Sequence, residues 1–139
     1  MLVDAQQAVL EFHRTFNLPI SNSPNKLERN RIEFRAKWMM EEIEEFLEST
    51  NIVDQADAIA DLIYFALGVF VEMGIDGSKI FEIVHQANMN KLGQNNKPLY
   101  NEEGKVTKPD NWVSPHERIE QWLAVSLSCA FAKRDVESV

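Results

Sequence analysis

A single cysteine, Cys129, stands among the 139 residues. That excludes an internal disulfide and a cysteine-rich zinc site, and it suits a reducing compartment. No apolar run approaches the ~20 residues of a membrane helix. The longest, LIYFALGVFV at 62–71, covers about half that span. The opening MLVDAQQAVLEF carries neither the basic stretch nor the long apolar stretch of a secretory signal. The expectation is a soluble, cytoplasmic protein without a membrane partner. Internal repeats, low-complexity tracts and a strong hairpin signal are also missing. With 45% hydrophobic and 26% charged residues, the chain reads as one globular domain over 1–139. A chain of this size can bury roughly two-thirds of its unfolded surface.

The most informative absence is local: between Trp38 and Ser78 there is no Lys or Arg. Ten acidic residues occupy that stretch: Glu41, Glu42, Glu44, Glu45, Glu48, Asp54, Asp57, Asp61, Glu72 and Asp76. The net charge is −8, yet outside the stretch 14 basic residues face 12 acidic ones. The chain therefore carries one anionic centre in a nearly balanced remainder. A nucleic-acid binder would show a basic patch instead, so no nucleic-acid partner is expected.

Periodicity predicts an all-α protein. Val9, Phe12 and Phe16 sit at helical spacing over 3–16, and NLPISNSPN with its two prolines then breaks the pattern. Helices are expected over 26–49, rich in good helix formers, and over 53–73, stopped by Gly74. A fourth, capped by Asp76 or Ser78, should run to Leu92 and stop at Gly93. Residues 93–115 hold turn signals throughout, and a loop that long in a compact domain is commonly functional or disordered. A last amphipathic helix over 115–132 would use Ile119, Trp122, Leu123, Leu127 and Phe131. The expected architecture is a four-helix-type bundle with a long loop and an extra C-terminal helix.

The phase of the acids separates ordinary from unusual ones. At 100° per residue, Ile32, Ala36, Met39, Ile43 and Leu47 form one stripe of the second helix, its expected core face. Glu42 and Glu45 fall beside that stripe, with Glu41 further round, whereas Glu33, Glu44 and Glu48 lie opposite, where solvation explains them. The third helix is apolar almost all round and should lie inside the bundle. Its acids nevertheless form one column, Asp54, Asp57 and Asp61, at spacings of three and four. Asp54 could simply begin the helix and Asp57 could sit at a rim. Like charges buried side by side need protonation, basic partners or metal ions, and this helix has no basic residue. Hard oxygen ligands suit Mg²⁺ or Mn²⁺ better than zinc.

The run EEIEE at 41–45, EExxE in form, and DAIADLIYF on the following helix resemble the all-α nucleoside triphosphate pyrophosphohydrolases, the superfamily of MazG-like proteins, dimeric dUTPases and phosphoribosyl-ATP pyrophosphatases. The similarity covers about 26–93. It implies Mg²⁺ binding by Glu42, Glu45 and Asp61, and products of nucleoside monophosphate and pyrophosphate. It also implies a homodimer or homotetramer. Ala58 stands where the family usually has Glu, so Asp57, one residue earlier, becomes the substitute ligand. HQANMNKL at 85–92 and GKVTKP at 104–109 resemble the family's phosphate-contacting segments, implying Asn88, Lys91, Lys105 and Lys108 as substrate-binding residues.

A nucleoside triphosphate is a polyanion, and cations must bridge it to an acidic cluster. The expected reaction is attack of water on the α-phosphorus, with Glu41 or Glu42 as general base. The carboxylates alone would suit β- or γ-attack equally; the resemblance selects the α-phosphorus. Trp38 and Arg35 could touch base or phosphate. Two other readings compete. A di-iron bundle needs an ExxH on each of two helices, and only Glu82–His85 supplies one. A catalytically silent bundle that binds a nucleotide or a protein is compatible with Ala58.

Overall fold

Five α-helices and no strand form among the described residues, 1–93 and 95–137 of the computed structural model: α1 (Leu2–Thr15), α2 (Arg29–Glu48), α3 (Ile52–Met73), α4 (Gly77–Met89) and α5 (His116–Glu137). The all-α class expected from periodicity is what the chain adopts. No single helix among the described residues is long and apolar enough to cross a membrane. The chain divides into two compact units, one ending at Gly77 and one beginning at Ser78.

In the first unit α1 and α2 both pack on α3. Asn51 starts α3: its Oδ1 accepts from the backbone N–H groups of Val53 and Asp54, both at 3.0 Å. Gly74 ends it in the left-handed region, φ +65°, where a Cβ would also run into the Ser23 carbonyl. The segment between α1 and α2 is spent on the α3 terminus. The Asn25 N–H donates to Met73 O at 2.9 Å and Ser21 N–H to Val71 O at 3.2 Å, satisfying carbonyls the helix leaves open. This is why α2 starts at Arg29 and not near Lys26. Val9, Leu67 and Val71 form the buried core, with Leu2, Leu10 and Phe70 against them.

The expected core face of α2 is corrected in part. Ala36 and Met39 are half-buried as expected, but Ile32 is 45% exposed, Ile43 44% and Leu47 76%. Arg35 is the buried residue of the helix, and Arg31, Trp38 and Glu42 are half-buried with Ala36 and Met39. Nor does α3 lie inside along its whole length: Asp54, Asp57, Asp61 and Ile63 are exposed, and its burial falls mainly on Leu67, Gly68, Val71 and Glu72.

The physical reason is a buried ion cluster. Glu72 Oε1 accepts from Arg35 Nε at 2.9 Å and Nη2 at 2.6 Å, and from Arg31 Nη2 at 2.5 Å; Oε2 accepts from Arg31 Nε at 3.2 Å. Arg35 Nη2 also meets buried His13 Nε2 at 3.2 Å, while His13 Nδ1 lies 2.8 Å from Pro19 O. A carbonyl only accepts, so Nδ1 carries the proton and Nε2 accepts from Arg35. The guanidinium lies flat on α3 because residue 68 is glycine: a Cβ there would stand 2.6 Å from Arg35 Nη1. A charge this deep must be matched, so α2 rotates its arginines inward at the expense of its isoleucines.

In the second unit Ile83 and Ala87 are buried on α4. The Trp112 indole donates to Ala87 O at 2.6 Å, tying the loop back to the helix. Within the loop, residues 99–107 close a tight turn through a single Tyr100–Val106 bridge, with Thr107 N–H on Leu99 O at 2.8 Å. The loop is therefore ordered in part by its own backbone. α5 runs further than 132; Ile119, Trp122 and Leu123 are half-buried along it, and the Phe131 side chain lies outside the described residues.

Burial alone would push the Glu72 carboxyl up, but hydrogen bonds from Arg31 and Arg35 outweigh it and hold it below the usual carboxylate range. A pKa lowered by folding contributes stability that is present above the unfolded value and lost as pH falls through the folded one. Glu72→Leu alone should cost about 3–5 kcal/mol in urea unfolding, since it strands Arg35, and Arg35→Met/Glu72→Leu together should recover most of it. Equal losses in the single and double variants would refute the assignment.

Candidate active site

α2 and α3 are joined by three residues and therefore run antiparallel. The pairs Arg35–Glu72 and Trp38–Phe65, the latter with ring centroids 5.9 Å apart, set the register. One turn beyond Trp38 comes Glu42, and one turn before Phe65 comes Asp61. The ion cluster thus aligns the carboxylates of the two helices without touching them.

Glu42 is the unusual member. Its Oε2 is shut off from solvent with no hydrogen-bond partner. Its carboxyl is pushed above the ordinary glutamate value, first by desolvation and then by the charges of Glu45, Asp61, Glu41 and Asp57. The sequence-predicted ligands therefore all lie within electrostatic reach of one side chain. Glu45, Asp57 and Asp61 are themselves exposed, Asp57 in keeping with the rim reading, which corrects the expectation that Asp61 lies inside the bundle; a Glu42 oxygen is enclosed. Glu41 is 3.8 Å from Lys37 on an exposed flank. Asp54 is taken up by the helix start, accepting from Asn51 Nδ2 at 2.5 Å. Ala58 is buried at 3% exposure, so the position where the family usually has Glu faces the packed interior, and Asp57 beside it is the weakest of the four acids that act on Glu42, behind Glu45, Asp61 and Glu41.

No three His, Cys, Asp or Glu side chains form a ready-made ligand group among the described residues. Like charges in one another's company spread apart, and the donor chemistry still fits a hard divalent cation. The neighbourhood offers carboxylate oxygens, one of them enclosed and unpartnered, with Lys37 on the Glu41 flank and no basic residue between Trp38 and Ser78.

The sequence-predicted phosphate contacts fall in the second unit. Lys91 and Lys108 are brought together on one ring, 5.6 Å and 4.7 Å from the Trp112 centroid. Lys105 lies in the tight turn with its backbone N–H on Asn101 Oδ1, and Asn88 is exposed near the end of α4. Glu82 is engaged by Lys79 at 3.3 Å and His85 is exposed, which lends no support to an iron site. Arg35 gives Nε and Nη2 to Glu72, meets His13 through Nη2 and lies 5.3 Å over the Trp38 ring. Sequence reasoning missed this cluster. The available signal was Glu72, the sole acid in the apolar half of α3, with Gly68 one turn before it and arginines one turn apart on α2.

Compared with known proteins, residues 9–88 match the model of the family described as phosphoribosyl-ATP pyrophosphohydrolase. A crystallised protein from Exiguobacterium sp. 255-15, assigned provisionally as an NTP pyrophosphohydrolase, is 29% identical over 94% of this chain and 97% of that one, with a TM-score of 0.44. None of the curated proteins compared matches.

A carboxyl whose pKa is raised by folding favours the native state when protonated, so that support fades as pH rises through the folded value. Glu42→Gln should therefore raise the melting temperature of the metal-free protein at neutral pH and leave it little changed below the ordinary glutamate range. Thermal unfolding in a chelator across pH checks this; a lower melting temperature for Glu42→Gln at neutral pH contradicts it.

Proposed function

This chain belongs to the phosphoribosyl-ATP pyrophosphohydrolase family, and on that premise we propose that it hydrolyses nucleoside triphosphates to monophosphates and pyrophosphate with the help of Mg²⁺ or Mn²⁺. The observation that carries the reading is the enclosed, unpartnered Glu42 oxygen amid Glu41, Glu45, Asp57 and Asp61. Glu42, Glu45, Asp57 and Asp61 would hold the cation. When bound, it supplies charge neutralisation for the polyphosphate and a more acidic water.

The remaining chemistry falls to the chain. With Glu42 holding the cation, Glu41, the adjoining carboxylate whose charge also acts on Glu42, would take the proton of the attacking water. Water adds to the α-phosphorus, the bond to the bridging oxygen breaks, and pyrophosphate departs with the negative charge. Lys37 stands one turn before Glu41, 3.8 Å from its Oε1. The exposed side chains of Glu45, Asp57 and Asp61 leave the site open to a bulky anion.

Second copies of the chain are the partners this surface calls for. Ile32, Ile43 and Leu47 form an exposed apolar stripe on α2, and Ile63 on α3 is half exposed, so homodimerisation, or a tetramer built from dimers, would cover them.

Two measurements test these points. Purified protein with Mg²⁺ and a panel of triphosphates, phosphoribosyl-ATP included, should release pyrophosphate and no orthophosphate. Glu45→Ala and Asp61→Ala should each lower the rate at least about a hundredfold. Orthophosphate as the product, or undiminished activity in both variants, would overturn the assignment; no release from any nucleotide would leave a silent binder. Light scattering should give at least twice the 16.0 kDa chain mass, falling to one chain in Ile43→Asp/Leu47→Asp.

A further inference from the structure

Two cations in the second unit share one aromatic ring. Lys91 follows α4 and Lys108 follows the tight turn at 99–107, yet their Nζ atoms lie 5.6 Å and 4.7 Å from the centroid of the same indole, that of Trp112. The ring is itself fixed. Its N–H donates to Ala87 O on α4 at 2.6 Å, and Trp112 is half-buried. The Trp112 backbone N–H donates to Pro109 O at 3.0 Å, which turns the chain between Lys108 and the ring.

The positive charge gathered there is not neutralised. Among the described residues neither ammonium forms an ion pair or donates a hydrogen bond. Asp110 borders the same cavity of about 330 Å³ as Lys108 without pairing with it. Like charges on one ring repel, and the negative face of the indole offsets only part of that repulsion. In a chain of net charge −8 this is a local excess of the opposite sign.

The complement of such a pair is an anion with more than one charged group. Each ammonium brings three donors on a compact charge, which suits phosphate oxygens. A lone carboxylate would satisfy one of them, whereas the linked phosphates of a polyphosphate can meet both. Lysine side chains are costly to immobilise on binding. A ring that already gathers two of them has removed part of that cost.

We infer that Trp112 is a positioning residue, whose indole holds Lys91 and Lys108 together as a clamp for the phosphate chain of a nucleotide. The tryptophan touches no phosphate; it acts through the two lysines. The arrival of a nucleotide rests on the hydrolase reading, but the affinity of the clamp for a bare polyphosphate does not.

The test uses the whole protein and inorganic tripolyphosphate, in chelator and at low salt, with affinity read by calorimetry. Trp112→Leu should weaken binding about tenfold, as expected for two exposed cation–π contacts. Lys108→Gln should cost about tenfold in the parent and little in Trp112→Leu, because the lysine is no longer held there; a merely structural tryptophan gives the same cost in both. Tryptophan emission of the parent should change on binding, and the change should vanish in Trp112→Phe, which keeps a ring for the lysines and stays within about threefold of the parent affinity. With Mg²⁺ and a triphosphate, the Trp112→Leu loss should fall on KM and not on kcat. No binding by the parent, undiminished binding by Trp112→Leu, equal costs of Lys108→Gln in the two backgrounds, or an emission change that survives in Trp112→Phe each overturn the clamp. Coupled binding without pyrophosphate release from any nucleotide leaves the clamp standing and removes the hydrolase; release without coupling does the reverse.

Discussion

The arrangement of the first unit depends on one buried carboxylate. Glu72 lies in the apolar half of α3 at 4% exposure, where an unpaired charge is not tolerable. Arg35 and Arg31 answer it from α2, His13 of α1 accepts from Arg35 and donates to Pro19 O in the loop after it, and Gly68 makes the room. All three helices are thereby locked through polar contacts with directional demands, which a purely apolar seam would not impose. Once residue 35 is opposite 72, the antiparallel hairpin has no freedom left, and Glu42 must look toward Asp61 and Asp57.

The same hairpin handles charge in two opposite ways. Near the start of α2 and the end of α3, acid and base are matched at 2.5–3.2 Å and the carboxyl is held low. Near the end of α2 and the start of α3 the one basic neighbour is Lys37 on the exposed flank of Glu41, and desolvation plus four like charges push Glu42 up. One end is therefore self-sufficient. The other carries an electrostatic debt that only protonation or a cation can discharge. A rigid matched pair beside an unmatched set is a sensible arrangement for a metal-dependent site, because the register survives whether or not an ion is bound.

Much of this was legible from residue spacing, and the rest was not for identifiable reasons. The helices, the stop at Gly74 and the grouping of Glu42, Glu45, Asp57 and Asp61 follow from period and local capping, which are short-range. The inward face of α2 does not. Hydrophobic phase selects Ile32, Ile43 and Leu47, but the partner that decides the rotation, Glu72, lies 37 residues from Arg35, and no local rule weighs a salt bridge across that separation. Burial of the acids misled for a related reason. The apolar circumference of α3 implies full enclosure, whereas Asp57, Asp61 and Ile63 are exposed in the single chain. Apolar circumference reports the surface that needs cover, not whether the same chain supplies it.

That distinction bears on how the site works. If the stripe of Ile32, Ile43 and Leu47 is covered by a second copy, the exposed carboxylates of the same hairpin become walls of a cleft and no longer a free flank. Desolvation would then act on Glu45, Asp57 and Asp61 as it already acts on Glu42, and each would hold a cation more strongly in the lower dielectric. Association and metal binding would favour each other, since a ligand that relieves repulsion in the assembled state stabilises that state by its differential affinity.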